Sequence, residues 1–213
     1  MTRKACLVFA LVLLVAPILA HAQEGWIFRA RVINIAPDAS SSQILDTGTT
    51  VDVDSAWTLE VDLTYMFSEN VGLELIAATA NHDLATTGGA LGGANAGSVW
   101  VLPPTLTLQY FFGTGEIRPY VGAGINYTVF YSYDLSADLA GLGITDVTFS
   151  NSFGFDGNIG IDFYIGDKWL INADIKYIQI STDADLRVGS DILDTIAVDI
   201  DPWVFGIGAG IRF

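Results

Sequence analysis

Apolar and polar residues alternate along most of this chain with a period of two. Trp57, Leu59, Val61, Leu63, Tyr65 and Phe67 share one face of an extended segment, and Thr58, Glu60, Asp62, Thr64 and Met66 share the other. The pattern recurs in Trp169, Ile171, Ala173, Ile175 and Tyr177, and again in Trp203, Phe205, Ile207, Ala209, Ile211 and Phe213. Such alternation marks β-strands with one apolar face. Eight strands are predicted, at 25–33, 56–67, 71–81, 100–112, 118–132, 153–165, 169–182 and 197–213. Most reach the roughly 9–11 residues that a tilted strand needs to cross a bilayer. Their connections alternate in length: short at 68–70, 113–117 and 166–168, long at 34–55, 82–99, 133–152 and 183–196. An even number of strands, tight turns at one end and long loops at the other describe an antiparallel up-and-down transmembrane β-barrel.

The polarity of the two faces agrees. The polar face is also the glycine-rich one, suited to a crowded lumen, whereas a soluble ligand-binding barrel is apolar inside. Aromatic residues collect near strand ends (Trp26, Trp57, Tyr65, Trp100, Tyr110, Trp169 and Trp203 among them), where amphipathic rings favour membrane interfaces. Composition sharpens this. The 213 residues are 51% hydrophobic, with a mean hydropathy of +0.45 and a net charge of −15. No apolar run after residue 22 approaches the roughly 20 residues of a spanning helix, so the hydropathy belongs to strands. The first 22 residues read as an export signal: Arg3 and Lys4, the apolar stretch Cys6–Ala20, and the small-residue site Ala20-His21-Ala22 with cleavage after Ala22. Its removal leaves 7 basic against 24 acidic residues, a charge of −17, and takes away Cys6. This excludes disulfides and cysteine-bound zinc, and argues against nucleic acid, whose phosphates need a surplus of Lys and Arg. The expected organisation is therefore a signal over 1–22 and an all-β barrel over 23–213, in the bacterial outer membrane and in contact with its lipids.

Strand parity assigns the lumen. Arg29, Arg31, Glu60, Asp62, Glu74, Asp162, Asp174, Lys176 and Arg212 point inward near the turn end. An eight-stranded barrel is only wide enough for side chains to fill it, and enclosed charges must pair. An ionic plug is expected there. Toward the loop end the inward residues become apolar: Ile76, Val101, Phe130, Ile178 and Ile180. They form either an apolar pocket open to the outside or a dry core. Pro103 and Pro104 fall within a predicted strand, and proline donates nothing to a ladder. The expectation is a side opening toward lipid, or else a bulge or strand end.

Several segments resemble the OmpW family of outer-membrane proteins: Val71 through Thr79 (VGLELIAAT), Leu102 through Leu106 (LPPTL), Arg118 through Thr128 (RPYVGAGINYT), Asp201 through Phe205 (DPWVF) and the ending Gly210 through Phe213 (GIRF). The resemblance spans essentially all of 23–213. It implies an eight-stranded barrel, a hydrophobic channel that opens laterally, and passage of small hydrophobic molecules. It also implies an apolar constriction at two inward positions. One matches Ile76. The other, a tryptophan in the family, aligns with Lys176. That lysine either tethers to Asp174 or Glu74 and closes the floor, or snorkels and widens the passage.

Catalysis has little support. His82 is the one histidine after residue 22 and is expected in a solvated loop beside Asp83, with no serine tied to it. Gly88 through Gly93 is flexible linker chemistry, not a phosphate cradle. Asp134, Asp138, Asp146, Asp183, Asp185, Asp191 and Asp194 make the loops acidic, read as solvated charge with no metal site. No cofactor is expected. The leading function is a passive channel for small hydrophobic ligands with lateral release into the bilayer. The alternative, from a different class, is a structural or receptor barrel whose acidic loops bind a partner.

Overall fold

The computed structural model describes residues 25–213, so the export signal expected at 1–22 lies outside the described residues. The elements in chain order are β1 (Trp26–Ala36), β2 (Ser40–Ser41), β3 (Thr50–Val53), β4 (Ala56–Met66), β5 (Val71–Ala78), β6 (Ala80–Thr87), β7 (Asn95–Leu102), β8 (Thr105–Phe111), β9 (Ile117–Asp134), helix α1 (Ala137–Gly141), β10 (Asp146–Phe149), β11 (Ser152–Ile165), β12 (Trp169–Ile178), β13 (Ser181–Val188), β14 (Asp191–Asp199) and β15 (Trp203–Arg212). Eight of them close a barrel in the order β1-β4-β5-β8-β9-β11-β12-β15, and β15 returns antiparallel to β1 with Ala30 opposite Ala209. Consecutive barrel strands are neighbours, so the topology is up-and-down.

The period of two does the sorting. Outward residues are exposed and apolar, Trp57 at 73% and Ile207 at 63%, while inward Arg29 and Glu74 are fully buried. That polarity suits a barrel whose outer wall meets hydrocarbon. Aromatic pairs mark both rims of the band. Trp26–Tyr65 (4.8 Å) and Tyr110–Phe112 (5.1 Å) lie at the turn end, and Tyr177–Trp203 (5.2 Å) and Trp100–Tyr131 (6.3 Å) at the other. Inward glycines make room for charged side chains and for close backbone approach: a Cβ on Gly206 would stand 2.5 Å from Asp174 Oδ1 and 3.3 Å from Arg31 Cδ. A Cβ on Gly208 would stand 2.0 Å from the carbonyl oxygen of Ala30 and 2.7 Å from the Cα of Arg31.

The four long connections depart from expectation. They are not loops but a second storey of strands above the barrel. One wing extends β9 through β7, β6 and β3; the other is β10-β13-β14-β2. Helix α1 is capped by Ser136, whose Oγ accepts from the Leu139 amide at 3.1 Å. Val53, Leu84, Val99, Leu139, Val147, Leu186 and Ile196 meet in a common apolar core inside this storey. The reason is that period two continues past the membrane: Ala184, Leu186, Ile196 and Val198 are buried, and Asp183, Asp185 and Thr195 between them face water. Gly88 through Gly93 forms the β6–β7 tip. Gly89 sits at φ +54°, and a Cβ there would be 2.4 Å from the Thr49 amide nitrogen, so the tip is a built turn rather than a free linker.

The storeys meet at a level where strands break. β5 and β6 separate at Thr79, β7 and β8 at Pro103–Pro104, β12 and β13 at residues 179–180, and β14 and β15 at residues 200–202. The continuous strands predicted at 71–81, 100–112, 169–182 and 197–213 are thus each two strands.

Candidate functional site

The inward charges of the lower barrel form one buried network. Arg29 grips Asp162 with two bonds, Nε to Oδ1 at 3.1 Å and Nη2 to Oδ2 at 2.7 Å, and donates to Asp62 at 3.0 Å and Thr64 at 2.9 Å. Arg31 reaches Glu60 and Asp62 at 2.7 Å, and Glu74 and Asp174 at 3.1 Å. Lys176 Nζ lies 2.7 Å from Asp174 and 2.9 Å from Glu60. Three cations and five carboxylates from five strands thus cross the lumen. The excess acceptors are partly met by amides: Gln109 donates to Glu74 at 2.7 Å and Asn172 to Asp162 at 2.7 Å. Such donors matter because an uncompensated buried charge costs several kcal/mol.

Beneath the network lies an aromatic layer. The Arg29 guanidinium stands 5.6 Å from the Tyr120 ring centroid and 6.0 Å from that of Phe111, and both rings are buried. Arg118 approaches Phe111 from the turn side at 5.0 Å. Arg212, expected in the plug, is not in it. The register sets Arg212 opposite Ile27, at the last residue of β15, where the interior ends. Its parity is inward but its height is wrong, and it lines the mouth at the turn end with Arg118, Lys168 and Phe213.

Above the network the wall turns apolar. Ile76, paired across β4 to Asp62 and across β8 to Thr105, sits at the boundary. Val101, Phe130, Ile178 and Ile180 join it, and all line one cavity of about 90 Å³ with Glu60 and Lys176 at its floor. The cavity continues into the upper storey among Val53, Leu84, Val99, Val147, Leu186 and Ile196. The sequence places these residues in connections; the signal that points to Leu186 and Ile196 is the alternation Thr182, Ala184, Leu186 on one side of the β13–β14 turn and Ile196, Val198 on the other. The lysine at the family's tryptophan position is tethered to Asp174 and Glu60, not to Glu74. It belongs to the floor.

His82 is also a correction. It is buried rather than solvated, lines the cavity, and holds its Nδ1 2.8 Å from the carbonyl oxygen of Asp54. β6 continues the wall of the barrel upward and sets His82 opposite Val99, one residue above the Trp100 rim. Burial lowers its pKa below the usual imidazole value, against the raising influence of that carbonyl and of Asp83.

Pro103 and Pro104 end one strand before the next begins. The β5–β8 ladder stops at Ile76 and Thr105, and the β6–β7 ladder starts at Ala80 and Val101. Between them no ladder pairing joins Ala77 through Thr79 to Leu102 through Pro104. The backbone left out of the ladder finds local partners instead: the Thr79 carbonyl accepts from Thr58 Oγ1 at 2.7 Å, and the Pro104 carbonyl from the Tyr127 amide at 3.1 Å. Thr79 and Pro103 line the cavity, so it reaches this interruption in the wall.

Comparison with known proteins agrees with this architecture. Outer membrane protein W of Vibrio cholerae is 38% identical over 202 residues, covering 93% of this chain and 93% of that one. The crystal structure of OprG from Pseudomonas aeruginosa matches with a TM-score of 0.82 at 34% identity, covering 91% of this chain and 97% of that one. The dibenzothiophene metabolism operon protein PahQ of Pseudomonas aeruginosa is 29% identical over 217 residues, 99% of each chain. These relatives place the barrel in the outer membrane. Residues 23–213, all of the barrel and its upper storey, match the family as a whole, and the chain belongs to the OmpW family.

Proposed function

We propose that the protein admits small hydrophobic molecules from the outer face and releases them sideways into the bilayer. The observation that supports this is one apolar cavity running from the upper storey down to Ile76, closed below by paired charges and reaching the wall at Thr79 and Pro103. An apolar solute gains by leaving water for such a wall, by about 25 cal/mol for each Å² buried. It cannot continue downward, because it offers no partners to the ions it would displace. The interruption opposite Pro103–Pro104 is the exit this reading assigns. The name of the PahQ relative, from a dibenzothiophene metabolism operon, fits a small aromatic cargo.

The test is uptake of naphthalene by cells, or by vesicles carrying the purified barrel. Ile76→Arg puts a charged side chain across the narrow end of the cavity, and uptake is expected to fall to the level without protein while unboiled samples still migrate as folded barrel. Unchanged uptake in that folded variant refutes the path.

The receptor reading keeps one observation in its favour. The upper storey presents Asp134, Asp138, Asp146, Asp183, Asp185, Asp191 and Asp194 against a single basic residue, Arg187. Cutting the long connections does not separate the two readings, because those segments build the cavity wall. Replacing these aspartates by asparagine does: loss of a partner with naphthalene uptake intact supports a receptor.

A further inference from the structure

We propose that His82 is a specificity residue of this cavity, and that its Nε2 accepts a hydrogen bond from small apolar ligands bearing one hydroxyl, of the phenol or alcohol class. This deepens the uptake reading and rests on it. The tautomer follows from the geometry. Nδ1 lies 2.8 Å from the Asp54 carbonyl oxygen. A carbonyl only accepts, so Nδ1 carries the proton and donates it. The neutral ring then bears its lone pair on Nε2, and among the described residues nothing donates to that atom.

At this height the wall offers no other ring nitrogen with an open lone pair, and the Glu60 carboxylate lies at the floor among its cations. The hydroxyl oxygens of the wall are held in place by the bonds they donate to backbone carbonyls: Thr79 to Val101 (3.1 Å), Thr86 to Ala94 (3.1 Å), Thr105 to Pro103 (3.0 Å), Thr182 to Ser150 (2.7 Å), and Tyr133 to Ala96. Lys176 and Glu60 are bound to each other at the floor. Around the imidazole the strands supply Val99, Leu84 and Ala80. A lone base in such surroundings loses its water when an apolar ligand fills the cavity, and a ligand hydroxyl restores the bond. A ligand without one leaves Nε2 unpaired. This sets a preference for the hydroxylated member of an otherwise identical pair.

The paired probes are 1-naphthol and naphthalene. His82 is the sole histidine after residue 22, so the barrel refolded from 23–213 without a histidine tag and labelled with ¹⁵N-histidine gives a single imidazole in its spectrum. Adding 1-naphthol is expected to shift the Nε2 resonance in the direction of an accepted hydrogen bond, and naphthalene is expected not to. In vesicles, His82→Leu is expected to weaken 1-naphthol binding and uptake about fivefold, the worth of one neutral hydrogen bond, and to change naphthalene less than twofold. His82→Gln, which keeps an acceptor, is expected to restore part of the preference. If both probes are taken up but Nε2 does not respond and His82→Leu treats them alike, the inference is overturned and the uptake reading stands. If neither probe enters faster than in protein-free vesicles, the uptake reading fails and the inference falls with it.

Discussion

Arg31→Met is the perturbation that interrogates the floor of the cavity most directly. The side chain is fully buried and meets Glu60 and Asp62 at 2.7 Å and Glu74 and Asp174 at 3.1 Å. At an effective dielectric constant near 20, each such contact is worth about 5 kcal/mol gross, and desolvation of both partners offsets most of it. What the substitution exposes is the other side of that balance. Methionine fills a similar length but leaves four carboxylates with only Arg29 and Lys176 to share among themselves and Asp162. Breaking a buried pair by removing one partner costs about 3–5 kcal/mol, and four partners on one guanidinium argue for the upper end. The assay is equilibrium urea unfolding in phospholipid vesicles, followed by tryptophan fluorescence, since Trp26, Trp57, Trp169 and Trp203 lie on barrel strands and Trp100 on β7 just above them. The double variant Arg31→Met with Asp62→Asn is expected to recover part of the loss at neutral pH. A destabilisation under about 1 kcal/mol, the worth of an exposed pair, would show that water already reaches the network, and the sealed floor would be refuted.

Other outcomes follow from the same geometry. Leu186→Arg, in the upper storey, is expected to reduce naphthalene uptake in vesicles as strongly as a barrel substitution, with unboiled gel mobility unchanged; unaltered uptake would remove the storey from the path. Changing Pro103 and Pro104 together to alanine supplies one amide donor, at 103, on the side of Ala77 through Thr79, since residue 104 faces β9 where its carbonyl accepts from Tyr127; it is expected to slow transfer of naphthalene into the bilayer without weakening its binding in detergent. Gly208→Ala drives a Cβ toward the Ala30 carbonyl and is expected to lower stability by about 1–3 kcal/mol, as overpacking does, measured in the same urea titration. Burial holds the pKa of His82 below its ordinary value, so the stability due to the neutral ring is present above about 6.5 and is lost as pH falls through the lower folded value. Asp83 lies on the opposite face of β6 and Asp54 meets the ring through its backbone, while β7 offers Val99. The upper storey is therefore expected to lose hydrogen-exchange protection in mild acid, less so in His82→Gln.

The inward face of the charged floor is legible in the sequence, but its height is not. Arg29 and Asp162 are 133 positions apart, yet both were placed inward by counting alternate residues along strands. Arg212 obeys the same parity but misses the network, because counting gives a face and not a height. The apolar half of the lumen was legible as far as Ile180 and then lost. Asp183, Asp185, Asp191, Asp194 and Asp199 give this stretch the composition of a solvated loop, although Leu186 and Val198 among them continue the strand face. His82 is obscured in the sequence for the same cause: its polar neighbours Asn81 and Asp83 point outward, and the three together have the composition of a loop.

The alternation of side chains, the alternation of connection lengths and the surplus of outward aromatic residues are enough by themselves to specify an eight-stranded barrel, its inside and its outside. Each depends on near neighbours along one strand, where geometry leaves two faces and no more. Which carboxylate takes which cation, how far the strands rise above the bilayer, where the ladder lapses opposite the two prolines, and which way the imidazole turns were decided only in the tertiary structure. Those outcomes depend on strand stagger around the closed barrel, and stagger is set by every ladder at once.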